Sequence, residues 1–579
     1  MSEARSSVPL VPLVVVGAHA AYLPPPSLGM PRVGPRAEVL ADAARLEEQA
    51  HPRWVVTEAA AGLGDLVDAG VPIARVWDTA QAHRLWQGGW RADPAFAWAC
   101  AHDLPRPAPP PERLPAGRDQ NPSLFDLDLT ALHTDSAAAP SDPQPDEPVG
   151  PDGGLRPGAF GDWAAGDPAR VLALTSWLGR LAAAQHERLA RVGPRAVATA
   201  HSESAAALLC LELQRDGLPL DRARAEAIVA QAAGPRPRDE THAGQIRRER
   251  DAVVLRHSGG RSADLRNPAQ VKDLLAACGV SVATTRKGEL EPYRTTHPIV
   301  AALLSWRAQE RIATTYGYRW LDEHVGTDGR LRGAWSACDG AAGRMTAQAG
   351  LHNLPAVLRR AIVAEPGHVL VRADLGQIEP RVLAAVSGDP AFAAATRADD
   401  LYAPVAAALG VPRPVAKVAV LAAMYGQRTG AAGQALRDLQ RAFPVAMSFL
   451  DEAYAAGLAG QPVRTFGGRA IPMGGGALDP GPRGSARGRF ARNAVIQGAA
   501  AELFKAWAAT VRPLVRPVGG QIVLCLHDEL LVHAPQADAD EVVAALRVAL
   551  ADSSRRWLGH EQVRFVADVS VVTSWDEAK

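Results

Sequence analysis

Two acidic residues close apolar runs in the C-terminal half of this sequence. Asp374 ends Val369-Leu-Val-Arg-Ala-Asp374, which reads as a buried strand. Asp528 lies in His527-Asp528-Glu529, between Gln521-Ile-Val-Leu-Cys-Leu526 and Leu530-Leu-Val-His-Ala-Pro535, a pattern that predicts a β-hairpin displaying His527 and Asp528 at its turn. A carboxylate at each of two strand ends is what a pair of divalent cations needs, because shared oxygen ligands must come from rigid neighbouring elements. Taken singly, each motif is weak, because a strand-end Asp is more commonly a cap or turn former.

Between them, Pro412-Arg413-Pro-Val-Ala-Lys417-Val-Ala-Val-Leu421-Ala-Ala-Met-Tyr425-Gly426 predicts a helix, with proline in its first turn and Gly426 and Gly430 near its end. Arg413, Lys417, Leu421 and Tyr425 recur every four residues. Each step drifts only about 40°, so the four form one stripe. Two cations, an apolar residue and a tyrosine on one face suit a nucleoside triphosphate. An ordinary amphipathic helix with surface cations is the competing explanation. Only five lysines occur among the 62 basic residues, and one falls on this stripe.

The elements holding these groups belong to a chain of 579 residues and 61.0 kDa, 47% apolar and 21% charged. That length predicts several domains, the strand and helix signals along it an α/β (α+β) multidomain fold, and the composition excludes a fibrous protein, a disulfide miniprotein and a wholly disordered chain. No apolar run approaches the roughly 18 residues of a membrane span, so no membrane partner is expected. The 62 basic and 62 acidic residues cancel, which says little about any one cleft. Five scattered cysteines, Cys100, Cys210, Cys278, Cys338 and Cys525, suggest a reducing compartment. Met1 to Ser7 lacks the net positive charge of a signal peptide and Pro12 interrupts the following apolar run, so a cytoplasmic protein is expected.

Residues 1–102 read as a small α/β unit, with strands at Leu13 to Val16 and Trp54 to Val56 and a helix at Ala37 to Gln49. Residues 103–162 are rich in Pro, Asp and Gly and predict an exposed linker or disordered insertion. The arginines of 236–266 are interleaved with acids, so a solvated helical face and phosphate contact are both open.

The order and spacing of these motifs resemble family A DNA polymerases of the bacterial DNA polymerase I type. Asp374-Leu-Gly-Gln-Ile-Glu-Pro-Arg381 resembles that family's first palm motif, Asp-Tyr-Ser-Gln-Ile-Glu-Leu-Arg. Arg413, Lys417, Leu421, Tyr425 and Gly426 match its fingers helix, and Leu526-His-Asp-Glu-Leu530 its second palm motif. Gly343-Arg344-Met-Thr, Leu351-His-Asn-Leu-Pro355, Arg489 to Asn493 with Gln497-Gly498, and Trp575 to Lys579 are weaker matches in the right order. The resemblance covers about residues 205–579. It implies a right-hand polymerase with thumb and the start of the palm at 205–330 and palm and fingers at 331–579. Before it, an exonuclease-like (RNase H-like) domain is implied at 1–102 and 163–200.

The resemblance implies a monomer that uses primer–template DNA and dNTPs, with two Mg²⁺ ions held by Asp374 and Asp528. Lys417 and Glu529 join those aspartates in the implied catalytic set. Arg413, Lys417, Leu421, Tyr425, Glu379 and Gln377 would form the nucleotide site, Glu379 as the steric gate against a ribose 2′-hydroxyl. Arg344, Asn353, Arg489, Asn493, Gln497 and His527 would contact DNA. The departures are Leu421 for an aromatic, Leu375, Gly376 and Pro380 in the first motif, Tyr402 and His352 for the usual His and Gln, and a short stretch after Tyr425 that implies compact fingers. The implied exonuclease carboxylates are missing from the first strand; Asp78 and Glu58 are isolated remnants, so a degenerate domain without proofreading is expected. A phage-type single-subunit RNA polymerase and a catalytically silent DNA-binding scaffold are the alternative readings.

Overall fold

The computed structural model describes residues 8–109, 147–426, 432–474, 481–559 and 562–578. Met1 to Ser7, most of the expected linker, Gly430 with the stretch after Tyr425, and the final Lys579 lie outside the described residues. The chain divides into two compact units. One holds residues 1–216, 334–346 and 371–570; the other holds 217–333, 347–370 and 571–579.

In the first unit, β1 (Leu10–Val16), β2 (His19–Tyr22), β3 (Arg32–Pro35), β4 (Arg53–Val56) and β5 (Arg75–Asp78) form one sheet in the order β3-β2-β1-β4-β5. β1 runs parallel to β4 and antiparallel to β2, and β4 runs parallel to β5. Strand side chains alternate between faces. Val11, Leu13 and Trp54 pack with Val39, Leu40 and Leu63, whereas Val14, Val16 and Val55 face Leu174, Trp177 and Leu178. Burial on both faces explains the unbroken apolar run of β1.

Two boundaries differ from expectation. The helix α1 (Pro194–Asp216) runs unbroken through 200–205, where a domain break was predicted. It stays whole because it packs on both sides, burying polar as well as apolar side chains: Ser204 Oγ accepts from Asp78 N (3.0 Å), and Glu203 meets a helix near residue 505. The described tail of the expected linker, 147–162, is also partly folded. Ala159 is buried, and Val149, Leu155 and Phe160 pack against the first core.

The second unit gathers Val254, Leu274, Leu275, Val300, Leu303 and Trp306 around the helices Glu240–Leu255, Pro268–Ala277 and Pro298–Thr315. Here Arg266 pairs with Glu310 (2.7 Å) and Asp251 (2.8 Å), Arg250 with Glu310, and Arg236 with Asp322 (2.8 Å). Three arginines of the 236–266 cluster therefore have acidic partners within their own unit.

The strand β6 (His368–Leu375) leads into helix α2 (Ile378–Ser387). After α3 (Arg413–Tyr425) and the long α4 (Pro482–Val515) come β7 (Gln521–Leu526), β8 (Glu529–Pro535) and β9 (Ala567–Val572). These strands form a second sheet in the order β7-β8-β6-β9. α1 and α4 are joined by a buried charge cluster. Lys505 Nζ lies 2.5 Å from Glu203 Oε1 and donates to Gly343 O (2.7 Å), while Arg469 reaches Glu203 Oε2 (2.6 Å). All three side chains are almost wholly buried. Breaking such a pair leaves an uncompensated charge in low dielectric. Glu203→Gln is therefore expected to cost about 3 kcal/mol or more, read as a lower unfolding midpoint in urea; an unchanged midpoint would contradict the role given to this cluster.

Candidate functional site

The site is assembled at one end of the second sheet. β7 and β8 are joined by a two-residue turn, with Leu526 opposite Glu529 in register. His527 takes φ 56°, the left-handed conformation found at the first central residue of such hairpin turns. This places Asp528 at the tip. The neighbouring strand β6 ends beside it: Leu375 N donates to Asp528 O at 2.9 Å, and Gly376 N to Val566 O at 3.0 Å. Asp374 and Asp528, expected to act together, are brought side by side.

The electrostatics report that proximity. Burial, and then the charge of Asp374, push the Asp528 carboxyl up to about 6, with Glu529 and Glu379 adding in the same direction. Burial also raises Asp374, while Arg372 opposes the rise. Arg372 Nη2 lies 2.7 Å from Asp374 Oδ2, yet Asp374 keeps 31% of its side chain exposed. The donor set consists of hard carboxylate oxygens crowded into partly desolvated space, an arrangement that fits divalent cations such as Mg²⁺.

The departures in the first motif are absorbed by packing. Leu375 is buried, and a Cβ at Gly376 would come within 3.0 Å of Val566 Cγ2. Gln377 takes φ 55° and begins α2, so Pro380 falls in the first helical turn, where no amide donor is needed. Arg381 is fully buried and donates to the carbonyls of Gly376, Thr396, Ala398, Asp399 and Arg564. It fixes the loop that follows Asp374.

Glu379, in that first turn, is a hub. Its Oε1 lies 3.3 Å from Arg344 Nη2, and its Oε2 accepts from Tyr425 Oη at 3.3 Å. Three expected site residues from distant segments thus converge. α3 buries Ala416, Ala419, Val420 and Ala423, leaving Arg413, Lys417 and Tyr425 exposed and Leu421 half-buried on the opposite stripe. Gly426 closes the helix in the left-handed conformation, where a Cβ would meet Arg489 Cγ at 3.0 Å. On α4, Arg489 is exposed, Asn493 buried and Gln497 half-buried; the spacing i, i+4, i+8 puts them on one face.

Some expected residues have other partners. Gln377 donates to Asp400 (3.0 Å) and accepts from Leu401 N (2.8 Å). Arg413 pairs with Asp400 at 2.5 Å, and that guanidinium holds the Asp400 carboxyl below its usual range. Asn353 belongs to the second unit, where its carbonyl accepts from Tyr316 Oη (2.9 Å) and Arg311 Nη2 (2.7 Å). In the N-terminal sheet, Asp78 is buried and accepts from Ala59 N (2.7 Å) and Gln81 N (2.9 Å), while Glu58 pairs with Arg84 (3.2 Å).

Sequence reasoning missed Arg372 and Asp400. Arg372 is legible in principle, since a residue two before Asp374 on a strand shares its face. Asp400 carries no local signal: its partners Gln377 and Arg413 come from separate helices. Among the described residues no single helix is long and apolar enough to cross a membrane.

The pattern of DNA polymerase family A matches residues 249–577. DNA polymerase I of Chloroflexus aurantiacus is 32% identical over 318 residues, 50% of this chain and 33% of that protein. The thermostable DNA polymerase I of Thermus thermophilus is 31% identical over 296 residues, 46% of this chain and 35% of that protein. This chain matches about a third of the length of these relatives. The solved POL domain of Pol1 from M. smegmatis, in a complex with DNA primer-template and dNTP, superposes with a TM-score of 0.68 at 21% identity, covering 99% of this chain and 96% of that one. With that fold shared and the family pattern running through more than half of its length, the chain belongs to DNA polymerase family A.

Proposed function

We propose that this chain is a template-directed DNA polymerase that adds dNTPs to a primer 3′-hydroxyl, in repair or gap-filling synthesis. The observation that carries the reading is the meeting of Asp374 and Asp528 beside the Glu379–Tyr425–Arg344 cluster, on a chain whose family generally uses divalent metal ions. Two Mg²⁺ ions bound by the two aspartates would acidify the attacking hydroxyl and neutralise the departing pyrophosphate.

The remaining work is positioning. Lys417 and Arg413 bind the triphosphate, Arg413 exchanging Asp400 for phosphate oxygens, and Lys417 can protonate the leaving group. Leu421 presents an apolar rather than aromatic surface to the base. Glu379, held by Tyr425 and Arg344, occupies the volume a ribose 2′-hydroxyl needs. Gln377 acts through Asp400 and Leu401, steadying the loop before Arg413. Arg489, Asn493 and Gln497 follow the minor groove, where A·T and T·A present the same acceptors, so a copying enzyme grips any sequence there. His527 contacts the primer end, Glu529 lies against the site through Arg372, and Arg344 and Asn353 contact the duplex. The N-terminal sheet is exonuclease-like without proofreading chemistry in this reading, supported by Asp78 being held as a helix cap.

Primer extension with Mg²⁺ tests the assignment. Wild-type chain should extend with dNTPs, and Asp374→Asn or Asp528→Asn should lower kcat by roughly a thousandfold. Extension by Asp528→Asn at the wild-type rate would remove the metal assignment, and no extension by wild type with primer–template still bound would favour a silent scaffold. Glu379→Ala should weaken rejection of rNTPs by roughly a hundredfold, read as the ratio of kcat/KM for dNTP and rNTP.

A metal-free measurement reads the same crowding. Burial and the neighbouring carboxylates push the folded Asp528 carboxyl from 3.8 up to about 6, so the folded state takes up protons more readily than the unfolded chain and stability falls as pH rises through that window. In EDTA, Asp528→Asn should therefore stabilise the protein by on the order of 2 kcal/mol at pH 8, the gain vanishing below about pH 4. A gain that persists under acid would contradict the charge explanation.

A further inference from the structure

Alternation along β6 sends the side chains of residues 372 and 374 to the same face. Arg372 consequently emerges beside Asp374 and reaches across to the next strand. Its Nη2 lies 2.7 Å from Asp374 Oδ2, and its Nε lies 3.2 Å from Glu529 Oε1. Nη2 also approaches Glu529 Oε2 at 3.3 Å. The Arg372 side chain is 13% exposed and that of Glu529 12%, so solvent and salt screen this bridge weakly. The guanidinium is always charged, and its planar fork suits two carboxylates at once.

A cation thus already stands against one of the two proposed metal ligands. It occupies Asp374 Oδ2 with an N–H donor and offsets part of the negative charge that would draw in a divalent ion. We propose that Arg372 is a built-in counter-cation that keeps divalent-ion affinity low until a nucleotide triphosphate adds its own negative charge. The proposal rests on Asp374 being a metal ligand. Arg372 is a positioning residue: it acts on the site through Asp374 and Glu529. Its effect would couple metal loading to nucleotide arrival, because the ion must replace Arg372 at Asp374, and the triphosphate supplies the charge that makes this favourable.

The test is an Mn²⁺ titration of the full chain without DNA or nucleotide, following free Mn²⁺ by electron paramagnetic resonance. Arg372→Gln and Arg372→Met, both able to keep the unbranched stem packed, should bind Mn²⁺ about tenfold tighter than wild type. Arg372→Lys keeps the charge and should stay within about threefold of wild type. Circular dichroism selects the variants that fold, and either neutral variant suffices. Unchanged or weaker Mn²⁺ affinity in a folded neutral variant overturns the proposal, as does equal tightening by Arg372→Lys. A merely structural arginine would lower stability without tightening the metal. Asp374→Asn separates the two levels. If it weakens Mn²⁺ binding while Arg372→Gln changes nothing, only the counter-cation fails. If Arg372→Gln tightens Mn²⁺ and adding Asp374→Asn to it leaves that affinity unchanged, the metal assignment fails and takes this proposal with it.

Discussion

The backbone hydrogen bond from Leu375 N to Asp528 O, 2.9 Å long, fixes the relation on which the site depends. It sets the end of β6 against the β7–β8 turn, so two carboxylates far apart in the chain share one small volume. Side chains on a strand alternate with period two, and a one-residue slip would turn Asp374 away from Asp528 and drive Ala373 into its place. The surroundings forbid that slip. Leu375 and Ala373 are buried, Gly376 is pressed against Val566, and Arg381 ties the following loop to five carbonyls.

Accumulated negative charge is the second constraint. Asp374, Asp528, Glu529 and Glu379 act on one another through partly desolvated space, and such a group stays together only with positive partners at hand. Arg372 serves the acids at the strand ends, while Arg344 and the Tyr425 hydroxyl serve Glu379. Arg413 with Asp400 extends the same logic to the start of α3. The site is therefore internally neutralised in part, and in the proposed reading substrate binding becomes an exchange of ionic partners rather than the filling of bare charge.

Local pattern carried most of this into the sequence. The apolar run before Asp374, the hairpin around His527 and Asp528, and the four-residue stripe on α3 each obey a period that one segment reveals by itself. What escaped were interactions between segments. Lys505, Glu203 and Arg469 meet from three parts of the chain, and nothing local to any of them specifies the other two. The break expected near 200–205 rested on where the family resemblance begins. α1 runs through it because both of its sides are buried, with polar residues such as Thr199, Glu203 and Ser204 inside, so its pattern shows no single apolar face. The proline- and glycine-rich tail at 147–162 looked unable to hold a core, yet Ala159 and Phe160 add to one that already exists.

The most direct measurement is an anomalous difference map from a crystal of the full chain grown with Mn²⁺, primer–template and a non-hydrolysable dNTP. The account predicts Mn²⁺ within about 2.5 Å of carboxylate oxygens from both Asp374 and Asp528, with Arg372 withdrawn from Asp374. Bound nucleotide with no anomalous density at either aspartate, or Mn²⁺ held elsewhere while Arg372 still grips Asp374, would contradict it.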